Sequence, residues 1–183
     1  MKRLCFLVNS SMKELSNVTT IAVGGVLTAL NIVLNFFTVV ISNMLQFSLS
    51  FLAIAVSGML YGPVVGGMVG AIGDVLGNII FPTGPFFLGY TFNAFLTGFV
   101  YGLILYKKPI TILRVLAANL TLVVLINFLL DPLWISIMYG HSFVVVLSAR
   151  IISTFVMLPI HVAMLYFILK FVQKVQVSVL KKV

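Results

Sequence analysis

The chain has 183 residues, of which 62% are hydrophobic and only 8% are charged. A soluble domain of this size needs far more charged surface, so the composition excludes a soluble protein and predicts one multi-pass membrane bundle. The net charge of +8 would suit a nucleic-acid partner in a soluble protein, but the placement of the basic residues described below explains it better. The lone Cys5 provides neither a disulfide framework nor a cysteine-based metal site.

Six apolar stretches are candidates for membrane-spanning helices, since a span needs roughly 20 apolar residues. We therefore predict an all-α, six-helix membrane domain over residues 18–171, with tails at 1–17 and 172–183. The run after Lys2 and Arg3 is too short for a signal peptide. The six stretches lie at about 18–41, 47–61, 63–80, 87–106, 110–131 and 147–170, and the breaks fall near 42–43, 62–63, 82–85, 107–109 and 139–141.

The basic residues indicate the orientation of this bundle. With both termini in the cytoplasm, ten of the eleven Lys and Arg residues lie on the inner side, and Arg150 alone lies outside. This distribution satisfies the positive-inside rule, whereas the inverted orientation would place the same ten residues outside. We expect both termini to be cytoplasmic.

Small residues recur every four positions in the centre of the chain. Residues four apart share one face of a helix, and a face without side chains lets another helix pack closely in lipid. The sequence therefore predicts a tightly packed helical centre. The small residues concerned are Gly58, Gly62, Gly66 and Gly70, followed by Ala94, Gly98 and Gly102.

Polar residues from different predicted helices converge on the outer half of the membrane. Such groups are expensive in hydrocarbon unless they face a cavity or a partner. We therefore predict an outward-facing binding recess, capped by loops at 42–46, 81–87 and 132–146. The converging residues are Asn35, Asp74, Asn78, Asn93 and Asn127, with Asp131 and Arg150 at the outer rim.

Each charged candidate in this recess has more than one interpretation. Asp74 is the only carboxylate deep within a predicted helix, and it would accept structural hydrogen bonds, contact a ligand or couple an ion. Asp131 and Arg150 lie at facing helix ends, so an ion pair is as reasonable as ligand contact. Arg is the best side chain for bidentate capture of a carboxylate. Asn31 and Asn35 share a helix face that we place toward the recess.

Aromatic side chains gather near the same outer level. An aromatic belt occurs in any membrane protein, and stacking on a flat ring ligand is the alternative. The loop FPTGPFF favours stacking because its prolines and glycine make it irregular. The candidates for ligand contact are Phe86, Phe87, Tyr90 and Trp134, within a wider group that includes Phe81, Phe92 and Tyr139.

Two further patterns concern partners and catalysis. Gly25 and Ala29 form a small face on the first helix, which packs within the chain or docks another membrane subunit. The glycine-rich centre contains no phosphate-binding loop, because no lysine occurs between Lys13 and Lys107. No hydrolase or metal motif is present either, so we expect neither an enzyme nor a resident metal or cofactor.

Three strings carry a family resemblance: residues 51–109, which include DVLGNIIFPTGPFFLGYT, then PLWISIMYG at 132–140 and ARIISTFVMLPI at 149–160. With these residues the chain resembles, from about Met12 to Phe171, the S components of energy-coupling factor (ECF) vitamin transporters of the folate type. The resemblance implies a six-helix protein of the bacterial cell membrane that binds a vitamin from outside. It also implies a transmembrane coupling subunit, docked at Gly25 and Ala29, and two cytoplasmic ATPases.

Departures from the family pattern bear on the ligand. Relatives often carry arginine where this chain has Asn35, and their N-T-L-W reads D-P-L-W from Asp131 to Trp134. Folate carries two carboxylates and a pterin; Arg150 alone suits a single carboxylate, as in pantothenate, while Asp131 suits the N–H donors of a pterin. Folate is the first expectation, with pantothenate or another small vitamin as the alternative.

Two other functional classes compete with an S component. A stand-alone secondary transporter would use Asp74 as its coupling carboxylate, but the paired internal repeats common in such carriers are not evident in the sequence. A membrane-embedded enzyme has no motif to support it.

Overall fold

The computed structural model describes residues 2–42, 45–82 and 84–180. Within these ranges the regular secondary structure is helical apart from one β-hairpin, whose strands β1 (Val39–Ser42) and β2 (Leu45–Phe47) pair antiparallel. A π-helical stretch, Val123–Leu130, joins α6 to α7 directly. The helices are α1 (Lys2–Glu14), α2 (Val18–Phe36), α3 (Phe51–Tyr61), α4 (Pro63–Ile80), α5 (Leu88–Leu105), α6 (Ile112–Leu122), α7 (Asp131–Tyr139) and α8 (Phe143–Leu180).

Five helical segments of the described chain are long and apolar enough to cross a bilayer. Helix α3 is apolar, but its 11 residues are fewer than the roughly 20 that a full span requires. Large apolar side chains such as Val18 and Phe167 lie on the outward surface, as expected for contact with lipid. The five segments are Val18–Phe36, Pro63–Ile80, Leu88–Leu105, Ile112–Tyr139 and Met157–Gln176.

The hairpin between α2 and α3 is a correction to the predicted first span, which was expected to continue to residue 41. Helix α2 ends at Phe36, and the β-branched run from Thr38 to Ile41 favours extended backbone. The Thr38 hydroxyl donates to the carbonyl oxygen of Asn35 at 2.6 Å. Together with the Thr38 N–H, which donates to the same oxygen at 3.0 Å, it satisfies one of the carbonyls that a helix leaves unpaired at its end.

Helices α3, α4 and α5 meet through their small residues, as predicted. A Cβ atom at Gly66 would lie 2.7 Å from Gly58 Cα and 2.8 Å from Gly98 O, and one at Gly70 would overlap Ala94 O. The expectation of one glycine face on one helix is wrong, because the chain turns at Gly62, where φ is +90°. The glycines instead belong to different helices, and they bring three backbones into contact.

The fifth predicted connection, residues 132–146, is another correction, because the backbone remains helical from Asp131 to Tyr139. The Asp131 N–H bonds to the Ile126 carbonyl in the wide π-helical turn. Pro132 follows in the first turn of α7, where its missing N–H is tolerated. The helix ends at Gly140, which has a left-handed φ of +69°.

A buried serine connects helix α1 to the start of α4. Ser11 is 0% exposed, and its hydroxyl donates to Tyr61 O at 2.8 Å. The same oxygen accepts from Val64 N at 3.0 Å and from Val65 N at 3.3 Å. Because Gly62 precedes α4 and has no side chain, Ser11 supplies the capping oxygen that an N-cap residue normally provides.

Candidate ligand-binding site

The predicted site residues gather at one end of the bundle, which we call the loop end. Here α4 ends, residues 81–87 connect it to α5, and the hairpin links α2 to α3. The opposite end, where α5 ends before Lys107 and Lys108, is called the basic end. The prediction of a loop at 81–87 is confirmed, apart from Thr83, which lies outside the described residues.

An ion pair lies at the loop end between α7 and α8. Arg150 Nη1 donates to Asp131 Oδ2 at 2.6 Å, and the two side chains are only 17% and 13% exposed. A pair so well shielded from water is held by charge-assisted hydrogen bonding, and each charge depends on the other for compensation. Of the two alternatives left open by the sequence, the structure therefore shows the mutual pair.

This ion pair extends into a chain of hydrogen bonds that reaches α5. Asn93 Nδ2 donates to Asp131 Oδ1 at 2.7 Å, and Trp134 Nε1 donates to Asn93 Oδ1 at 3.2 Å. We call these four residues the Asp131 network. Each donor and acceptor suits its partner, so the network fixes the indole of Trp134 relative to Arg150.

Three rings pack beside the Asp131 network and form an aromatic cluster. The Phe87 ring lies 5.5 Å from that of Trp134 and 6.1 Å from that of Tyr90, with interplanar angles of 60° and 75°. Gly89 allows this packing, because a Cβ there would come within 2.7 Å of the Trp134 ring. Phe86, also predicted as a ligand contact, is 53% exposed.

Asp74 and Asn78 form a separate group between α4 and α5. Thr91 Oγ1 donates to Asp74 Oδ2 at 2.7 Å, and Asn78 Nδ2 donates to the Asp74 carbonyl at 3.1 Å. Thr91 and Asn93 are two residues apart on α5, so their side chains point about 200° apart. Helix α5 therefore separates Asp74 from the Asp131 network, a division that the sequence analysis did not predict.

The two asparagines of α2 lie against α4. Asn31 is 3% exposed and donates to Val69 O at 3.4 Å, and its side chain occupies the space that a Cβ at Gly73 would need. Asn35 Oδ1 accepts from Thr38 at 3.0 Å and from Ser48 at 3.2 Å. Asn31 thus packs between helices, while Asn35 joins α2 to the segment before α3.

Sequence reasoning missed the hydroxyl partners Thr91 and Ser48, because their pairing depends on contacts between helices. It also did not identify Arg150 Nε, a buried donor that has no acceptor within the described residues. Those same residues contain no group of three or more His, Cys, Asp or Glu side chains that could hold a metal.

The predicted docking face on α2 is open. Gly25 and Ala29 are exposed, and nothing lies within 4 Å of a Cβ built at Gly25. Val26 is 68% exposed beside them. These small residues therefore do not serve packing within the described chain.

Comparison with known proteins identifies the family of this chain. A family model described as "ECF-type riboflavin transporter, S component" matches residues 15–176. The chain belongs to the family of ECF-type transporter S components. It is accordingly a multi-pass protein of the bacterial cell membrane, and the homologues found are transporter components rather than enzymes.

Individual relatives point to one branch of this family. The chain is 34% identical to the folate transporter FolT of Clostridium novyi (strain NT), over 81% of this chain and 86% of the relative. It is 36% identical to FolT of Leuconostoc mesenteroides subsp. mesenteroides, over 78% and 80%. A crystal structure of FolT bound with folic acid superposes with a TM-score of 0.76 at 40% identity, covering 81% of this chain and 92% of that one.

Proposed function

We propose that this ECF S component binds folate at the loop end and delivers it to an ATP-driven importer. The observation that carries the proposal is the aromatic cluster beside the Asp131 network, in a chain whose relatives are folate transporters. A pterin is flat and rich in hydrogen-bonding groups. An aromatic surface next to fixed polar groups offers both kinds of contact.

In this proposal the Asp131 network positions the site. The Asn93 amide holds the Trp134 indole in place, while Asp131 compensates the charge of Arg150. The buried Nε of Arg150 is the donor to which a ligand acceptor would bind, because a buried donor without a partner is unfavourable. Phe87 and Tyr90 supply the ring faces.

Folate is favoured over the two other vitamins considered. Pantothenate has no ring to stack on the aromatic cluster, and the charge of Arg150, which suited its single carboxylate, is already balanced by Asp131. Riboflavin, named in the description of the family model, does have a flat ring system. Both curated relatives and the superposed structure are nevertheless folate proteins, and this supports folate for this chain.

The proposed orientation places six membrane crossings between cytoplasmic termini. The short helix α3, continued by its flanks, would serve as the sixth crossing beside the five long segments. Ten of the eleven basic residues then lie inside, which satisfies the positive-inside rule. The loop end would face outward, toward the vitamin.

The importer requires partners that supply energy. No phosphate-binding loop occurs in the sequence, so ATP hydrolysis is assigned to two ATPase subunits. The open face around Gly25 and Ala29 fits a helix of the coupling subunit, since small residues permit close approach in lipid.

Trp134, the sole tryptophan, allows a direct test of ligand binding. Folate added to the purified chain should quench its fluorescence saturably, and mass spectrometry should detect folate that co-purifies. Replacing a stacked ring removes about 0.5–1.5 kcal/mol beyond its area burial, so Phe87→Ala should weaken folate binding severalfold. Phe86→Ala is the matched control, because Phe86 lies in the same loop but outside the cluster.

Three outcomes would contradict the proposal. Tighter binding of riboflavin or pantothenate than of folate would assign another vitamin. Equal effects of Phe86→Ala and Phe87→Ala would remove the aromatic cluster from the site. Gradient-driven folate uptake into liposomes by this chain alone, abolished by Asp74→Asn, would indicate a secondary transporter instead.

A further inference from the structure

A cavity of about 370 Å³ opens at the basic end, on the far side of the bundle from the vitamin site. Charged and amide side chains line it together with apolar ones, so the cavity offers both polar and apolar contacts. The lining residues are Glu14, Met59, Leu60, Leu105, Tyr106, Lys107, Lys108, Gln173 and Gln176.

Lys107 lines this cavity in a conformation that side-chain-bearing residues rarely adopt. Its φ of +54° is left-handed, and it is the only such residue other than glycine in the described chain. A non-glycine residue held there is strained, and such strain clusters at functional sites. The conformation holds the ammonium 4.9 Å from the Tyr106 ring centroid and 5.9 Å from that of Phe6.

Glu14 sets the charge balance of the cavity. Its carboxylate accepts from Thr20 Oγ1 at 3.2 Å and from the Tyr106 hydroxyl at 3.3 Å. Burial, and then the charge of Glu14, raise the pKa of Tyr106 to about 12, so its hydroxyl remains a donor at neutral pH. With one carboxylate against Lys107 and Lys108, the lining carries one net positive charge.

The surroundings of the cavity are apolar and exposed. The two helices that contribute Glu14 and the glutamines to the lining carry exposed apolar side chains: on α1, Leu4 and Phe6 are 50% and 61% exposed, and on α8, Phe171 is 69% exposed. In a membrane protein such side chains face acyl chains, and Lys beside them extends toward the headgroups. The cavity therefore lies where a lipid presents both its headgroup and its chains.

We propose that this cavity binds the headgroup of an anionic phospholipid. The phosphodiester lies on Lys107, Lys108 adds a second positive charge, and the amides of Gln173 and Gln176 bind the headgroup hydroxyls. The Glu14 carboxylate disfavours a doubly charged phosphate monoester, since like charges repel. A headgroup with one negative charge, such as phosphatidylglycerol, complements the lining.

Lipid binding to the full chain, measured by native mass spectrometry, tests the proposal. Lys107→Asn removes the charge and keeps the backbone, because Asn tolerates left-handed φ. One Lys or Arg side chain near an anionic lipid strengthens binding about fivefold. This variant should therefore bind phosphatidylglycerol about fivefold more weakly. Lys174→Asn is the control, since Lys174 lies on α8 near the same end but does not line the cavity.

The outcomes are distinguishable. Equal losses in the two variants, or equal binding of phosphatidylglycerol and phosphatidylcholine by the unaltered chain, would overturn the proposal. Displacement of the lipid by inorganic phosphate would assign the site to free phosphate rather than to a headgroup. Folate should quench Trp134 fluorescence equally in Lys107→Asn and in the unaltered chain, and equal quenching would show that the variant is folded.

Discussion

At the level of single residues, Asp131 and Arg150 illustrate how a buried charge depends on its partner. The pair is joined at 2.6 Å with little exposure, and Asn93 adds a second donor to the same carboxylate. Removing one member would leave the other charge buried without compensation, which is costlier than losing both. The pair should therefore behave as a unit.

A double-mutant cycle measures that coupling. Asp131→Asn and Arg150→Gln should each lower the free energy of unfolding, and the double variant should lose less than the sum of the two. Residues in direct contact show coupling of about 0.5–3 kcal/mol. Equilibrium unfolding in detergent provides the values.

Arg114 serves as the control for this cycle. It is a cation whose Nη1 bonds to the Pro109 carbonyl at 2.6 Å at an exposed position. Arg114→Gln combined with Asp131→Asn should be additive. If the Arg150 cycle were equally additive, the ion pair would have no measurable role in stability.

At the level of helices, the centre of the bundle depends on backbone contact between α3, α4 and α5. A Cβ at Gly66 would meet backbone atoms of Gly58 and Gly98, which move only if whole helices separate. Overpacking of this kind costs about 1–3 kcal/mol or more. We expect Gly66→Ala to lower the thermal midpoint strongly.

Gly24→Ala is the matched control for that substitution. Nothing lies within 4 Å of a Cβ built at Gly24. Ala is favoured over Gly in a helix by about 1 kcal/mol, so this variant should be as stable as the unaltered chain or more so. A similar loss in both variants would show that the glycines matter for reasons other than contact.

Ser11 connects α1 to the start of α4 through three hydrogen bonds. Ser11→Ala leaves the Tyr61 carbonyl and the Val64 and Val65 N–H groups without that partner, and the Val65 N–H is buried, so we expect a cost of about 1–3 kcal/mol. Ser10→Ala, one residue earlier and only half-buried, should have little effect on unfolding. Equal stabilities of the two variants would refute the capping role.

The sequence predicted those elements that local chemistry determines. Breaks at Gly62-Pro63 and at Lys107-Lys108-Pro109 are confirmed, because proline and glycine act on their own backbone. The hairpin after Phe36 was missed, since hydropathy does not distinguish a β-branched strand from the end of an apolar helix. Helix α7 was missed because a proline such as Pro132 normally indicates the end of a helix. The π-helical turn that precedes it here cannot be recognised from the sequence.

For the candidate site, the sequence predicted the depth of the residues in the membrane but not the directions of their side chains. Counting residues along each helix placed Asp74, Asn93 and Asp131 near one end, which is where they lie. It did not give their rotation about the helix axes, because that depends on packing between helices. Whether Asp74 faced Thr91 or Asn93 was therefore beyond a single sequence.

For the whole molecule, the open face of α2 bears on how transport is powered. Gly25 and Ala29 are exposed, and neither contributes to the proposed vitamin site at the loop end. Binding and coupling should therefore be separable by mutation. A substitution on this face should affect the assembled importer and leave the isolated chain unaffected.

Ala29→Trp tests this separation. Folate binding by the purified chain should be unchanged, while folate uptake by cells that contain the coupling and ATPase subunits should be lost. Ala117→Trp places the same bulk at an exposed position of α6 and should retain uptake. Retained uptake in Ala29→Trp would show that the coupling subunit docks elsewhere.

The length of the π-helical stretch before Asp131 determines the side of the helix on which Asp131 lies. Each residue in a regular helix advances the chain by about 100° around the axis. Deleting one apolar residue from Val123–Leu130 would rotate Asp131 away from Arg150 without altering either side chain. A change in the length of this segment is thus expected to alter the proposed vitamin site without any substitution within it.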